Sequence, residues 1–176
     1  MGGGPDTPLK LLCILDNEPK EILQKLRNDH PHLTVECIPK TKVTPETYTD
    51  VDYLFTLATF PEDPSKQAPK LKWVHFYSAG INQVVDKPLW KTEGITLTTS
   101  SGVHGPQISE WVIATLLNAQ HYHYELYDAV QRKHNWKGSS ESDLAQKLQQ
   151  SRDSVGQRIG VLGYGLVYRR YLMSYC

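Results

Sequence analysis

Five short apolar segments with a β-strand bias, separated by helical or irregular connections, constrain most strongly how this chain folds. The predicted strands are residues 9–15, 34–38, 53–58, 73–77 and 95–99. Each is apolar enough to be buried on both faces, as the strands of a parallel sheet are. Between the first two, Asp16-Asn17-Glu18-Pro19 predicts a helix start, and an apolar stripe of Ile22, Leu23 and Leu26 follows. The alternation predicts an α/β fold with a flavodoxin-like parallel sheet over residues 1–101.

A long helix is predicted after this sheet. Pro106 lies near its first turn, and its apolar face consists of Ile108, Trp111, Val112, Thr115, Leu116 and Ala119. A second helical stretch rich in Tyr and His covers residues 122–135. Residues 137–154 are predicted to form an exposed connection with a short helix over 143–149.

Composition excludes several classes of partner. The 176 residues include 19 basic and 19 acidic side chains, so no net charge attracts the chain to nucleic acid or to an anionic membrane. The longest apolar stretch, residues 111–117, is too short to span a bilayer. Cys13, Cys37 and Cys176 are odd in number and have no metal-type spacing, and the first two lie in predicted strands. We therefore expect a soluble cytoplasmic protein with core thiols in a reducing compartment.

The run from Val155 to Gly165 is typical of a buried strand that turns through two glycines into a helix. In a mononucleotide-binding fold such a turn holds the pyrophosphate. Tyr168 stands where the third glycine of that pattern would let the helix pack closely on the strand. The acidic residue expected about 20 positions further on is also missing. We predict the strand and the turn, but not a competent cofactor site in this chain.

Histidines near the long helix suggest other sites. His121 and Glu125 would share one helix face, but His123 would point away, and two ligands do not make a metal site. We therefore predict no metal centre. His104 could contact a ligand, although a local bond at the helix start is the favoured interpretation. Nearby tyrosines are interpreted as packing or dimer-contact groups.

Four motifs in register carry a family resemblance. They are Trp73 to Asn82, Gly102 to Gly105 followed by Ile108-Ser109-Glu110, Trp136, and Gly156 to Gly165. Together they resemble the D-isomer-specific 2-hydroxyacid dehydrogenases, in which hydride from NADH or NADPH reduces a 2-ketoacid. The resemblance implies a flavodoxin-like substrate domain over residues 1–101. It also implies that residues 102–176 contain hinge helices and an incomplete Rossmann-type NAD(P)-binding domain.

The resemblance also implies roles for two loops. The amides of Ser78, Ala79 and Gly80 would bind the substrate carboxylate. The turn Gly163-Tyr164-Gly165 would hold the pyrophosphate of NAD or NADP. A simpler interpretation of Ala79-Gly80, closure of a strand-to-helix turn, stays open. Ser78 is not taken as a hydrolase nucleophile, because Phe76 stands where that motif needs its first glycine.

The catalytic groups of the family find no counterpart in this sequence. Its arginine, glutamate and histidine come from a part absent here, so no catalytic residue is assigned and we expect the chain to be inactive alone. After Gly165 only Leu166-Val167 and one arginine match, which suggests a frame change, a retained intron or a premature stop. The alternatives are a non-catalytic regulatory protein that pairs with a full-length relative, or a carboxylate-binding module. A homo-oligomer is also possible.

Overall fold

The structure, a computed structural model, describes residues 8–134, 143–151 and 153–170. Its strands are Leu9–Ile14 (β1), Leu33–Ile38 (β2), Tyr53–Thr56 (β3), Trp73–Phe76 (β4) and Thr96–Thr99 (β5). Its α-helices are Lys20–Asp29 (α1), Pro64–Gln67 (α2), Pro88–Lys91 (α3), Gly105–Gln120 (α4), His123–Tyr127 (α5), Asp143–Gln150 (α6) and Leu166–Arg170 (α7). Short 3-10 turns occupy Lys40–Lys42 and Pro45–Tyr48, and a π-helical turn occupies Asp128–Arg132. Trp136 and Cys176 lie outside the described residues.

The five strands form one parallel sheet in the order β2-β1-β3-β4-β5. This is the order of flavodoxin-like doubly wound folds, so the predicted α/β class is confirmed. All five predicted strands exist, with ends that differ by one or two residues. Cys13 and Cys37 are direct neighbours in the β1–β2 register, and both are free thiols in this sheet.

The core of the sheet consists of two apolar clusters on its opposite faces. The larger cluster is built on Leu12, Leu54, Val74 and Phe76, all essentially inaccessible to solvent. The smaller cluster joins Leu23 of α1 to Cys13 and Val35. Since successive residues of a strand point to opposite faces, β1 contributes Leu12 to one cluster and Cys13 to the other.

The prediction that every strand is buried on both faces is wrong for β2, where Thr34 and Glu36 are exposed on the face that carries Leu12. It is also wrong for β4 and β5, on the opposite face. Trp73 is 39% exposed, and Thr96 is exposed as well. The cause is the coverage of the face that carries Cys13: α1 packs on β2, and its cluster reaches only as far as Phe55 of β3. Beyond it, Tyr53, Phe55, Trp73, His75 and Tyr77 form a row of ring contacts with centroids 5.5–6.0 Å apart.

An ionic cluster fixes the amino-terminal ends of three strands. The Asp52 carboxylate accepts hydrogen bonds from the Lys10 amide and the Lys72 ammonium group, each at 3.0 Å. The Lys10 ammonium group meanwhile lies 2.9 Å from Glu36 and 3.1 Å from Asp50. Main-chain bonds from the Asp52 amide to the Lys10 carbonyl and from the Lys72 amide to the Asp52 carbonyl complete the cluster. These contacts tie the starts of β1, β3 and β4 together.

The chain divides into two compact units, residues 1–101 and 102–176. Both apolar clusters belong to the first unit. Among its described residues, the second unit buries only Gly105, Ser109 and Ala129. The long helix predicted with Pro106 near its first turn corresponds to α4, and the short helix predicted over 143–149 corresponds to α6. The helical stretch predicted over 122–135 corresponds to α5 with the π-helical turn as far as residue 134, and residue 135 lies outside the described residues. The assignment of the two units as substrate and nucleotide-binding domains stays a prediction.

The strand predicted to enter the glycine turn is absent from the structure. Residues 157–161 are irregular, and Ile159, Val161 and Leu162 are exposed instead of buried. A parallel strand is stable only when a neighbouring strand accepts and donates its main-chain hydrogen bonds. Within the described residues of the second unit there is no other strand, so the apolar run has nothing with which to pair.

Candidate functional site

The loop after β4 is the best defined candidate site in the first unit. β4 ends at Phe76, and the chain passes through Ser78, Ala79 and Gly80 before it turns at residues 82–86. This loop lies at the carboxyl end of the parallel strands, where open α/β sheets bind their ligands. Ala79, Gly80 and Ile81 are exposed, so the loop is open to solvent.

Three consecutive carbonyl groups of this loop are bonded to donors of the same chain. The Ser78 carbonyl accepts a bond of 3.0 Å from the Ser100 amide, just beyond β5. The Ala79 carbonyl accepts 3.1 Å from the Ser101 hydroxyl. The Gly80 carbonyl accepts 2.9 Å from the Ser78 hydroxyl and 3.3 Å from the Gln83 side-chain amide. The carbonyl side of the loop is therefore fixed against its own surroundings.

The amide side of the same loop has no such partners. Within the described part of the chain, no acceptor bonds to the main-chain amides of Ser78, Ala79, Gly80 or Ile81. Main-chain amides are strong donors and need an acceptor, either water or a ligand. Successive main-chain amides without an acceptor in the chain are the donors that anion-binding loops use.

A hydrogen-bonded row behind the loop supports β5 and the residues that hold the loop. His75 contacts the Thr98 hydroxyl through Nδ1 at 2.8 Å and the Ser100 hydroxyl through Nε2 at 3.1 Å. The Trp73 indole donates to the Thr98 hydroxyl at 2.8 Å, and the Ser100 hydroxyl donates weakly to the Phe76 carbonyl at 3.4 Å. Both ring nitrogens of His75 are thus used in binding β4 to β5.

The sequence motif predicts a role for Ser78, Ala79 and Gly80 but does not indicate the residues that shape their loop. The Gln83 side-chain amide donates a hydrogen bond of 2.8 Å to the Ser78 hydroxyl. Just beyond β5, the Ser100 amide and the Ser101 hydroxyl donate to carbonyl groups of the loop. Gln83 follows Gly80 by three residues, a spacing at which a side chain can reach back to a turn. No pattern in the nearby sequence predicts that Ser100 and Ser101 contact the loop, because this contact depends on the pairing of β4 with β5.

The predicted pyrophosphate turn has the positive φ of a glycine turn, but no β-strand precedes it in the structure. Gly163 has φ +104°, and a Cβ added at Gly163 or at Gly165 would meet nothing within 4 Å. Tyr164 is exposed, with its ring 5.3 Å from that of Tyr168 and 5.7 Å from the Arg169 guanidinium. The cradle of a dinucleotide needs a strand in a sheet before the turn and a helix packed behind it. In the described residues the helix α7 follows the turn directly, but no strand precedes it.

The histidines singled out in the sequence differ in their contacts. His104 is the N-cap of α4, but its carbonyl accepts the bond from the Ile108 amide, and its imidazole makes no capping bond, so the predicted local side-chain bond is wrong. His121 lies 3.2 Å from the Ser151 hydroxyl through Nδ1.

No cluster of three or more metal-ligating side chains occurs among the described residues. Nor is any helix there both long and apolar enough to cross a membrane.

Comparisons with known proteins find similar solved structures. No protein-family model matches the chain, and no curated protein matches its sequence. A phosphoglycerate oxidoreductase from Rhizobium etli matches 96% of the chain and 52% of its own length, at 15% identity and a TM-score of 0.59. A protein from Pyrococcus horikoshii OT3 matches 78% of the chain and 40% of its own length, at 19% identity and a TM-score of 0.54.

A third structure, the phosphoglycerate dehydrogenase of Lactobacillus plantarum, matches 72% of the chain and 40% of its own length at 25% identity. Its TM-score of 0.41 is too low to support an argument about fold. The chain thus spans about half or less of the length of the solved proteins that it resembles. At the level of the fold, the predicted resemblance to the D-isomer-specific 2-hydroxyacid dehydrogenases is confirmed.

Proposed function

We propose that the loop of residues 78–83 binds the carboxylate of a small 2-ketoacid or 2-hydroxyacid, as the substrate-binding part of an oxidoreductase of such acids. The observation that carries this proposal is the division of the loop main chain, with bonded carbonyls on one side and free amides on the other. A carboxylate is well bound by several N–H donors that converge on one small volume. The fold shared with the phosphoglycerate oxidoreductase of Rhizobium etli is consistent with the same assignment.

We infer further that this chain does not transfer hydride by itself. Hydride transfer needs a positioned nicotinamide, a cationic group that faces the developing alkoxide, and a proton donor. Among the described residues, no Lys, Arg or His side chain bonds to the loop of residues 78–83. The glycine turn at Gly163 also lacks its strand. The function proposed for this chain is therefore carboxylate binding without turnover.

The test is a titration of the ¹⁵N-labelled chain with pyruvate, followed by nuclear magnetic resonance. We expect the amide signals of Ala79, Gly80 and Ile81 to shift together, and the uncharged analogue pyruvamide to leave them in place. Gly80→Pro removes one of the donors, whereas Gly80→Ala keeps it and adds a Cβ that meets nothing within 4 Å. Weaker binding in the first variant alone is the expected result.

Two outcomes would contradict the proposal. If millimolar pyruvate left the loop signals unchanged, or if pyruvamide moved them equally, the loop would not be a carboxylate site. A circular dichroism melt of each variant separates loss of binding from loss of fold. Oxidation of NADH by the purified chain in the presence of pyruvate would contradict the second inference while leaving the first intact.

A further inference from the structure

The two edge strands of the sheet differ in how their outer main-chain groups are used. On β2 the Ile38 carbonyl accepts from the Leu15 amide, so Ile38 and every second residue before it face β1. Leu33, Val35 and Cys37 therefore face outward. The Leu33 amide already donates to the His30 carbonyl at 2.9 Å. The Arg27 guanidinium donates to the Val35 carbonyl at 3.0 and 3.3 Å, which places a charged group across this edge.

The β5 edge has no comparable protection. The Thr96 amide donates to the Lys72 carbonyl, and the Ser100 amide donates to the Phe76 carbonyl. Because alternate residues face opposite sides, the amides and carbonyls of Leu97 and Thr99 point away from β4. No bond joins those groups to another part of the described chain. β5 contains neither a charged residue nor a proline, two features that commonly protect an exposed edge; its one such feature in the described structure is its length of four residues.

We propose that two copies of this chain associate through β5, paired antiparallel about a two-fold axis. Leu97 of each copy then exchanges both main-chain hydrogen bonds with Thr99 of the other. Thr98 faces Thr98 of the second copy as the non-hydrogen-bonded pair, in which opposite residues approach most closely. This register is the one in which every outward group of Leu97 and Thr99 finds a partner, and it joins the two sheets into one.

The side chains around the axis favour a second copy as the occupant. The Trp73 indole reaches over β5 to bond Thr98 at 2.8 Å and is 39% exposed. In the paired sheet, two such indoles flank the axis and lose apolar surface to one another. Threonine pairs and aromatic contacts across antiparallel strands stabilise such pairing. No charge at β5 opposes it.

The protected β2 edge limits the assembly to a dimer. A strand that pairs with itself gives a closed, isologous contact, whereas pairing of β2 with β5 would extend without limit. The Arg27 bond to Val35 blocks the second kind of contact. The asymmetry of the two edges thus sets the size of the assembly, independently of the carboxylate site.

The primary test compares two substitutions at one outward-facing position in the full chain. Thr99→Pro removes the outward N–H without removing a bond to β4, and Thr99→Val keeps the N–H and the branched shape. In sedimentation experiments up to millimolar concentration, we expect the unmodified chain and T99V to pass from monomer to dimer, and T99P to stay monomeric with unchanged circular dichroism. A monomeric unmodified chain, or a T99P variant that dimerises equally, would overturn the proposal.

Two further readouts test the register and the limit of assembly. Amide exchange at Leu97 and Thr99 should slow as protein concentration rises, while exchange at Cys37 should not. Unchanged exchange at Leu97 and Thr99 would overturn the register.

Arg27→Met keeps much of the side chain's packing but removes the guanidinium. We expect R27M to form species larger than a dimer that grow with concentration. An R27M protein that remains strictly dimeric would show that Arg27 does not guard the β2 edge.

Discussion

Asp52 is the residue on which the ionic cluster at the strand starts depends. Its side chain is only 12% exposed, so burial alone would raise the pKa of its carboxyl group. The Lys10 amide and the Lys72 ammonium group outweigh that effect and hold the pKa below its usual range. The folded protein therefore keeps Asp52 ionised. The stability that Asp52 contributes is complete above the ordinary pKa of an aspartate and is lost as the pH falls from that value through the lowered pKa of the folded state.

Asp52→Asn should lower the free energy of unfolding by about 1–3 kcal/mol, because the amide cannot serve both donors as a carboxylate does. Asp50→Asn is the matched control, since Asp50 is largely exposed and also contacts Lys10. It should cost less than about 1 kcal/mol, as exposed ion pairs do. Urea unfolding at neutral pH measures both. If the two variants lost equal free energy of unfolding, the burial of Asp52 would not increase its contribution to stability.

Tyr48 and Cys13 predict a loss of stability in alkaline solution. Burial raises the pKa of Tyr48 from 10.0 to about 12, and burial beside Cys37 raises that of Cys13 from 9.0 to about 12. Unfolding lets each group ionise at its ordinary value. The contribution of each is therefore complete below that value and is lost as the pH rises toward about 12, at up to about 1.4 kcal/mol per pH unit.

Tyr48→Phe tests this linkage, because it keeps the buried ring and removes its ionisable group. The fall of unfolding free energy between pH 10 and 12 should become shallower, while stability at pH 7 changes little. Tyr124→Phe, at a ring that is 65% exposed, is the control and should leave the slope unchanged. Denaturant titrations at successive pH values give the comparison. A slope that is the same in Y48F as in the parent chain would contradict the assigned cause.

At the scale of the element, Gly102 fixes the packing of α4 and α7 within the second unit. Its φ of +94° suits glycine alone, and a Cβ there would lie 2.8 Å from Cδ2 of Leu166 at the start of α7. Gly102→Ala should destabilise this packing by about 1–2 kcal/mol through strained backbone and displaced Leu166. Gly160→Ala, where a Cβ meets nothing and φ is not positive, should be neutral. Amide exchange along α4 distinguishes the two.

The elements also show what a sequence can predict. β1 and β3 are predictable because a short apolar run with a β-strand bias is a local property, and a parallel sheet buries such runs. Residues 159–162 carry the same local pattern, yet remain irregular, because a strand also requires a neighbour that no local pattern supplies. In the candidate site, the motif predicts that Ser78 to Gly80 bind a carboxylate, and this stays a prediction. Gln83 and Ser101 were missed, since their role arises only when the loop folds back and β5 lies beside β4.

At the scale of the whole molecule, stability is divided unevenly between the two units. The first unit holds both apolar clusters, and the second buries few side chains among its described residues. A region with few buried apolar contacts opens at low free-energy cost. The exposed run of Ile159, Val161 and Leu162 offers such a region to a protease that cuts beside large apolar residues.

Limited digestion with thermolysin should therefore cut the chain at residues 159–162 first and leave residues 8–101 intact for much longer. Leu54→Ala removes a side chain that is 1% exposed from the larger cluster and should cost about 2–5 kcal/mol. That loss should speed cleavage within the first unit without changing the rate at 159–162, because the latter site needs no unfolding of the sheet. Mass spectrometry of fragments sampled over time measures the rate of cleavage within the first unit and the rate at residues 159–162. If L54A accelerated both cuts equally, the two units would unfold together, and the uneven division of stability would be wrong.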